Sequence, residues 1–188
     1  HLFELKGGCE CFCFFAKVRC SDRVPRIPDL FFLRGAGMNY WLMKSEPGVF
    51  GIDDLAQAHR KTAAWWGVRN YQARNFMRDQ MVVGDEVFFY HSSCPQPGIA
   101  GIARVSKLAY PDETQFDRNS EYFDPKSSRD EPRWFNVDVT LVRKTRVLGL
   151  VELRSHPQLA LMRILQRGNR LSITPVAVHE AAFIMKLL

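Results

Sequence analysis

Residues 65–78 read WWGVRNYQARNFMR, and this stretch is the most informative part of the chain. Two tryptophans precede Gly67, which favours a turn, and Asn70 is of a residue type that caps helices. We therefore predict a helix from Asn70 to about Gln80. Tryptophan, tyrosine, arginine and asparagine together suit a flat, hydrogen-bonding and partly anionic ligand, such as a nucleobase with its phosphates. The alternative is a tryptophan anchor in the core followed by a solvated helix.

The rest of the chain predicts strands mixed with short helices. Apolar or alternating runs rich in aromatic and β-branched residues indicate strands at 39–44, 86–91, 99–108, 134–142 and 171–175. Helices are predicted at 52–58, 150–154, 157–166 and 177–188, and loops at 92–98 and 111–133. The order of these elements has no βαβ rhythm. It predicts an α+β fold in which helices surround a small, mostly antiparallel, barrel-like sheet.

Two details of this prediction can be checked directly. Gly101 interrupts a strand pattern, which indicates a bulge or a close approach of another backbone. The apolar face of the last helix is predicted to include Val178, Ala182 and Met185.

Polar side chains stand beside aromatic ones at the ends of four predicted elements, at residues 44–47, 66–75, 89–93 and 168–172. Each segment alone has an ordinary structural interpretation, such as an exposed turn or the end of a strand. Their repeated position at the ends of elements favours one shared site.

The net charge of +6 is modest for 188 residues. A protein that coats polyanions without specificity needs a larger excess, so a local basic patch fits better. Arginine suits such a patch, because its guanidinium forms paired hydrogen bonds to phosphate and stacks on planar rings.

Enzyme motifs are missing from the sequence. It contains no G-x-S-x-G elbow, H-E-x-x-H helix or phosphate-binding P-loop. Lys44, Ser45 and Glu46 are adjacent, and neighbouring side chains of a strand point to opposite faces, so they cannot form a compact dyad. A hydrolase that uses Ser45 or His91 is the catalytic alternative to a binding module.

Residues 1–37 have a different character from the rest. Their four cysteines, Cys9, Cys11, Cys13 and Cys20, lack the paired C-x2-C spacing of a structural zinc site, so we expect no metal and reduced thiols. The segment shows no steady apolar period. We expect it to be a disordered or non-native extension, with the domain at 38–188, and its deletion to leave stability and ligand affinity unchanged.

Five motifs in order resemble the EVE domain family: NYWLMKSEP at 39–47, WGVRNYQARN at 66–75, FYHS at 89–92, DPKS at 124–127 and RGNRLS at 167–172. The resemblance runs from Met38 to the C-terminus. It implies a PUA-like fold, a five- or six-stranded barrel with flanking helices. It also implies a pocket for a modified nucleobase, chiefly a modified cytosine in DNA, and no reaction.

The resemblance and the residue types together suggest a site. The base would stack on Trp66, with Tyr90 or Trp41, and a flipped base needs fixed polar groups at its edge. The predicted base pocket comprises Trp41, Ser45, Trp66, Gly67, Val68, Asn70, Tyr90, His91 and Ser92. The predicted phosphate-binding residues are Lys44, Arg69, Arg74 and Arg170. Trp65 stands where many family members carry a polar residue, and it either enlarges the aromatic cage or packs in the core.

The expected partner is nucleic acid, with DNA that carries a modified cytosine favoured. RNA is the rival, because the related PUA and YTH folds read RNA. We expect no cofactor, no metal, no membrane contact and a monomer, in the cytoplasm or, in a eukaryote, the nucleus.

Overall fold

The computed structural model describes residues 38–188 of the chain. The strands are β1 (Tyr40–Ser45), β2 (Thr62–Ala64), β3 (Glu86–His91), β4 (Gly98–Pro111), β5 (Phe135–Gly149) and β6 (Ile173–Val176). The α-helices are α1 (Ile52–Gln57), α2 (Tyr71–Asn75), α3 (Leu150–Ser155) and α4 (Val178–Leu187). Short 3-10 turns lie at His59–Lys61, Glu113–Phe116, Pro157–Leu159 and Arg163–Leu165. The predicted α+β class is confirmed.

The six strands form one mixed sheet in the order β2-β5-β4-β3-β1-β6, with β2 and β6 at its edges. β1 runs parallel to β3, and the other pairings are antiparallel, as predicted for most of the sheet. The parallel pairing positions the site, because it places Ser45 opposite His91. The segments that begin at Glu46 and Ser92 therefore leave the sheet side by side, at the C-terminal ends of β1 and β3.

Both faces of the central strands are buried. Side chains alternate along a strand, so Met43 and Phe89 enter one core while Leu42 and Phe88 enter the other. Helices α1 and α2 cover the first core, and α3 and α4 cover the second. This explains why β1 and β3 are nearly continuous apolar runs in the sequence. Truncation of Phe88 or Phe89, which have no exposed surface, is expected to cost about 3–5 kcal/mol of stability.

Helix α2 begins as the sequence predicts. The Asn70 side-chain oxygen accepts hydrogen bonds from the N–H groups of Gln72 (2.9 Å) and Ala73 (3.1 Å). These bonds satisfy two of the free donors at the helix start. The helix continues through a π-type turn at Phe76–Gln80, so it also ends where predicted.

Gly101 is the point of close approach that the sequence indicates. A Cβ atom at this position would lie 2.8 Å from the Arg143 carbonyl oxygen and 2.8 Å from Cδ1 of Ile52. The pairing of β4 with β5 also shifts register between Ile99 and Gly101. Only glycine fits between α1 and β5 here.

Three local predictions differ from the structure. β5 continues to Gly149 instead of Val142, because it pairs with the whole of β4. β2 was not predicted, since three residues are too few to show a period. The 111–133 segment is not wholly a surface loop, because Asp112 and Gln115 in it are buried.

The predicted apolar face of the last helix is wrong for two of its three residues, because only Met185 packs against the second core. Val178 and Ala182 are exposed, whereas Ala181 and Ile184 pack in the second core. Glu180 is also on the buried side, where its carboxylate accepts a hydrogen bond from the Ala177 N–H group (2.9 Å). Because Ala181 and Ala182 are adjacent, the apolar period of the helix can be drawn through either one, and the sequence alone does not show which of the two faces is buried.

The predictions for residues 1–37, including the cysteines Cys9, Cys11, Cys13 and Cys20, lie outside the described residues. Between residues 38 and 188, no helix has the length and apolar content needed to cross a membrane.

Candidate functional site

A cavity of about 530 Å³ opens beside the end of β1. It lies between the segment that follows β1, the loop from β2 to α2 and the Tyr122 region. Its lining residues are Lys44, Ser45, Glu46, Val49, Phe50, Ala64, Trp65, Trp66, Gly67, Val68, Arg69, Asn70, Ser92, Tyr122, Arg170 and Ser172. The volume is within the range of small-ligand sites.

Two neighbouring tryptophans have opposite environments. Trp65 is buried and meets Phe89 edge-on, with ring centroids 5.3 Å apart. Trp66 is 43% exposed and meets Tyr122 edge-on at 5.4 Å. Trp65 therefore packs in the core, and Trp66 presents its indole to the cavity.

Gly67 shapes the turn that separates the tryptophans from α2. Its φ of +77° is readily adopted by glycine and is unfavourable for residues that have a Cβ atom. A Cβ atom here would also lie 3.1 Å from two ring atoms of Tyr122. The turn and the aromatic wall of the cavity thus depend on glycine at this position.

Arg69 fastens the Tyr122 region to this turn. Its Nε and Nη2 donate to the Tyr122 carbonyl (3.1 and 2.7 Å), and Nη2 also donates to Thr114 Oγ1 (2.9 Å). Its Nη1 donates to Asp112 Oδ2 (2.8 Å) and to the Val68 carbonyl (3.3 Å). A guanidinium has five N–H donors, and all of them have a partner inside the protein. Arg69 holds the cavity wall in place and has no free donor for a phosphate.

Asp112 receives these contacts at the base of the loop. Its carboxylate is buried and accepts hydrogen bonds from the N–H of Gly67 (3.3 Å), from Arg69, and from the N–H and hydroxyl of Thr114 (3.0 and 2.6 Å). Burial alone would raise the pKa of Asp112. The bonds from Thr114 and Arg69, with the charge of Arg69, outweigh burial and hold the pKa below its ordinary value.

The polar edge of the cavity has one fixed donor. The Asn70 oxygen is used by the helix cap, so its amide N–H2 group is turned away from the cap and has no partner within residues 38–188. Ser45 is already engaged, because its hydroxyl donates to the Phe50 carbonyl (2.7 Å). Its own carbonyl accepts from the N–H of Ser92 (2.9 Å) and from the Ser92 hydroxyl (3.3 Å).

Charged groups of both signs face the cavity. Lys44 is half-buried, and burial lowers the pKa of its ammonium group. Arg170 is exposed, and neither cation forms an ion pair within the described part of the chain. Glu46 is exposed and accepts a hydrogen bond from the Ser93 hydroxyl (2.8 Å). The cavity therefore offers free cations and one carboxylate acceptor beside an aromatic wall.

The cavity lies within a segment of the chain that matches a known protein family. The family model described as EVE domain matches residues 39–187, which include every residue that lines the cavity. The chain belongs to the EVE domain family. The resemblance drawn from the five motifs is confirmed.

Three relatives of this EVE domain are between 46% and 52% identical to it. Mouse thymocyte nuclear protein 1 is 46% identical over 167 residues, which cover 79% of this chain and 73% of the mouse protein. A crystal structure of a Pseudomonas putida protein is 52% identical and covers 79% of this chain and 98% of that one, with a TM-score of 0.75. The human THYN1 protein, solved in complex with 5-methylcytosine containing DNA, is 46% identical and covers 79% and 96%, with a TM-score of 0.74.

Most residues predicted for the site line the cavity of the EVE domain. These are Lys44, Ser45, Trp66, Gly67, Val68, Arg69, Asn70, Ser92 and Arg170. The chain brings them together from the end of β1, the turn before α2, the end of β3 and the 168–172 segment, as their shared position at element ends suggested.

Two predicted aromatic residues lie elsewhere. Trp41 is buried in the first core, and its indole N–H donates to Asp85 (2.9 Å). Tyr90 is buried in the second core, on the other face of the sheet. Side chains alternate along β3, so Tyr90 points to the opposite face of the sheet, whereas Trp41 is covered by its neighbours in the first core. We therefore expect neither ring to stack on a base in the cavity.

Two further predicted residues stand outside the cavity lining. His91 Nε2 accepts a hydrogen bond from the Ile52 N–H (3.1 Å), and burial lowers the pKa of its imidazole. Arg74 donates to the Arg133 carbonyl (2.6 Å) and lies over the Tyr71 ring. Both side chains hold structure together and are not positioned to touch a ligand in the cavity.

Sequence reasoning missed several lining residues. Glu46 and Ser172 belong to motifs that were singled out, so their position could have been inferred. Tyr122 had no signal, since it stands in a polar segment that carries no periodic pattern. Its place in the wall depends on Arg69, a contact that spans 53 residues of sequence.

Proposed function

We propose that this EVE domain is a non-catalytic reader of a modified base, which binds DNA with a modified cytosine flipped into the cavity. One observation carries the proposal: the cavity with Trp66 in its wall belongs to a chain 46% identical to the human THYN1 protein, whose structure contains 5-methylcytosine DNA. Because the Trp66 indole is 43% exposed and lines the cavity, it is available to stack on a ligand and contributes little to the core.

The lining of the cavity suits a pyrimidine ring. The indole of Trp66 provides a face for stacking, and base stacking on an aromatic side chain contributes about 1–3 kcal/mol. Val49, Phe50 and Ala64 add apolar surface to the lining. Such surface favours a methyl group on the base over a hydrogen atom, in the way that apolar side chains recognise the methyl group of thymine.

The polar groups match the edge of cytosine. The free amide of Asn70 is a donor for the ring nitrogen or carbonyl oxygen, which are both acceptors. The carboxylate of Glu46 is an acceptor for the exocyclic amine, a pairing that proteins use to read cytosine. Ser45 and Ser92 support the chain that carries Glu46, through the bonds between them.

Phosphate contacts fall to the free cations. Arg170 is exposed at the rim of the cavity, and Lys44 is a half-buried lining residue, so both can donate hydrogen bonds to an anionic group there. Arg69 and Arg74 are assigned to the protein scaffold instead, because their guanidinium groups already bind carbonyl or carboxylate oxygens.

The absence of a reaction is part of the proposal. The Ser45 hydroxyl donates to a backbone carbonyl, so no base is placed to take its proton. His91 accepts a backbone N–H with Nε2, which leaves that nitrogen no lone pair for proton transfer. Modified nucleosides and oligonucleotides incubated with the protein should keep their mass. Turnover that Ser45→Ala or His91→Ala abolishes would show an enzyme instead.

Competition between matched DNA and RNA oligonucleotides, each with and without 5-methylcytosine, tests the choice of partner. We expect the methylated DNA to compete best. An RNA preference well above tenfold would replace this proposal with an RNA-binding module.

A further inference from the structure

A second cleft, of about 440 Å³, opens at the other end of β2. It is lined by His59, Arg60, Thr62, Ser106, Lys107, Asp138 and Thr140. None of these residues lines the cavity described above. Cations and hydroxyl groups dominate this lining, which is the composition of a site for a phosphate group.

The turn at the edge of this cleft is strained. Arg60 and Lys61 both have positive φ angles, of 54° and 53°, which are unfavourable for residues with a Cβ atom. Thr62 holds the turn, because its hydroxyl donates to the Arg60 carbonyl (3.0 Å) and lies 2.7 Å from the Thr140 hydroxyl. Strain that the surrounding structure maintains is common at functional sites.

The positive charges of the strained turn are not neutralised by carboxylates of the described residues. Arg60 and Lys61 are exposed, and neither forms an ion pair within residues 38–188. Lys107 lies across the cleft with its ammonium 4.0 Å from the centre of the Tyr110 ring. The one carboxylate of the lining, Asp138, already accepts the Tyr110 hydroxyl (2.5 Å). The cations exceed the anions, so an anionic ligand is favoured.

The cleft and the cavity both adjoin β2. Thr62 lines the cleft and Ala64 lines the cavity. Two residues of a strand span about 7 Å. This is about the rise of two nucleotides at 3.4 Å each, so one nucleic-acid strand can reach both.

We propose that Arg60, Lys61 and Lys107 bind the phosphate backbone of the strand whose base occupies the cavity. The inference rests on the proposed function, and it names how the protein grips the nucleotides beside the flipped one. Contacts to phosphate fix register and orientation without reading sequence or modification.

The test is the salt dependence of DNA binding by the double variant Arg60→Gly/Lys107→Gln. Glycine is favoured at a φ of 54°, so this variant removes charge while it relieves strain. Each lost phosphate contact makes the negative slope of log K against log salt less steep by about 0.9, so the slope of the double variant should be less steep by about 1.8. A fourfold rise in salt should then weaken wild-type binding about twelvefold more than binding by the variant.

The control variant is Arg163→Gln/Lys186→Gln, which removes the same charge from exposed positions that line neither the cavity nor the cleft. It should keep the wild-type slope. A double variant Arg60→Gly/Lys107→Gln with the wild-type slope would overturn the proposal, as would an equal loss in the control. If the double variant proves unstable, Lys107→Gln alone carries the test, with an expected change of about 0.9.

The two proposals fail in different ways. The cleft variant should bind methylated and unmethylated DNA more weakly by the same factor, so that the ratio of the two affinities is unchanged. A wild-type protein without any preference for methylated DNA would contradict base reading, while the salt slopes would still decide the phosphate contacts. A preference for methylated DNA with unchanged slopes would contradict the phosphate contacts alone.

Discussion

Arg69 and Asp112 form an ion pair of 2.8 Å between the wall of the cavity and its base. The Asp112 side chain is 1% exposed and that of Arg69 is 22% exposed. The pair joins the turn after Trp66 to the segment that carries Tyr122. The position of Tyr122 in the wall of the cavity therefore depends on this ion pair.

Removal of the buried carboxylate should destabilise the domain. In Asp112→Ala, Arg69 loses its charge partner and the Gly67 N–H and Thr114 lose an acceptor. Breaking one side of a buried pair costs about 3–5 kcal/mol, and the partial exposure of Arg69 places the expected loss near the lower figure. Urea unfolding measures it. Glu113→Ala breaks the exposed pair with Arg129 and should cost less than about 1 kcal/mol. Equal losses in the two variants would contradict the role of Asp112.

Gly67→Ala tests the turn. The variant must adopt a φ of +77° and must also displace the Tyr122 ring, so we expect a loss of about 1–2 kcal/mol and weaker binding of methylated DNA. Gly48→Ala is the control, because a Cβ atom at Gly48 meets no other atom within 4 Å. Thermal unfolding and DNA titration of both variants provide the comparison. A Gly67→Ala protein as stable as Gly48→Ala would show that the turn tolerates a side chain.

Asn70→Asp separates the two uses of Asn70. Aspartate keeps an oxygen for the N–H groups of Gln72 and Ala73, so the stability of the domain should be retained. The amide donor is lost, so affinity for the modified base should fall by about 1–3 kcal/mol, or about 5- to 150-fold. Gln72→Glu adds the same charge at an exposed neighbouring position without removing that donor. If both variants lose the same affinity, charge repulsion explains the effect and Asn70 does not contact the base.

Mild acid should weaken the fold through His91. Burial lowers the pKa of His91 below its ordinary value of 6.5, although the charge of Asp53 opposes the shift. The unfolded chain then binds the proton more readily than the folded one. The stability that neutral His91 contributes is therefore complete above pH 6.5 and is lost as the pH falls through the lower folded pKa.

The measurement is the free energy of unfolding between pH 5 and 8, for the wild type and for His91→Gln. Glutamine can accept the Ile52 N–H bond but does not titrate. The difference between the two proteins should grow in favour of the variant as the pH falls below about 6.5. A constant difference across this range would show that His91 is not buried as an acceptor.

The fold was accessible from the sequence where local signals and burial agree. β1 and β3 were predicted because both of their faces are apolar, and their place at the centre of the sheet requires that pattern. The start of α2 was predicted because Asn70 is a strong cap. The face of α4 was not predictable, because Ala181 and Ala182 are equivalent in composition and only the position of the sheet distinguishes them.

The site was accessible only in part, for a different reason. Residue type showed that Trp66 and Asn70 suit a ligand, and the family motifs showed which segments meet. The same reasoning could not separate Trp66 from Trp41, since only strand geometry buries one of the two indoles. Nor could it assign Arg69, because the partner Asp112 is 43 residues away in the chain.

Titration of matched DNA duplexes, with cytosine or 5-methylcytosine, against the wild type and Trp66→Ala tests whether a methylated base stacks on Trp66. Because Trp66 is 43% exposed, its removal should leave the fold intact while it removes the stacking surface. Tyr71→Ala is the matched control, since it removes a ring that is 47% exposed but outside the cavity lining.

We expect the wild type and Tyr71→Ala to prefer the methylated duplex, and Trp66→Ala to bind that duplex about ten- to a hundredfold more weakly than the wild type. Equal binding of the methylated duplex by the wild type and Trp66→Ala would contradict the proposed stacking of the base on Trp66.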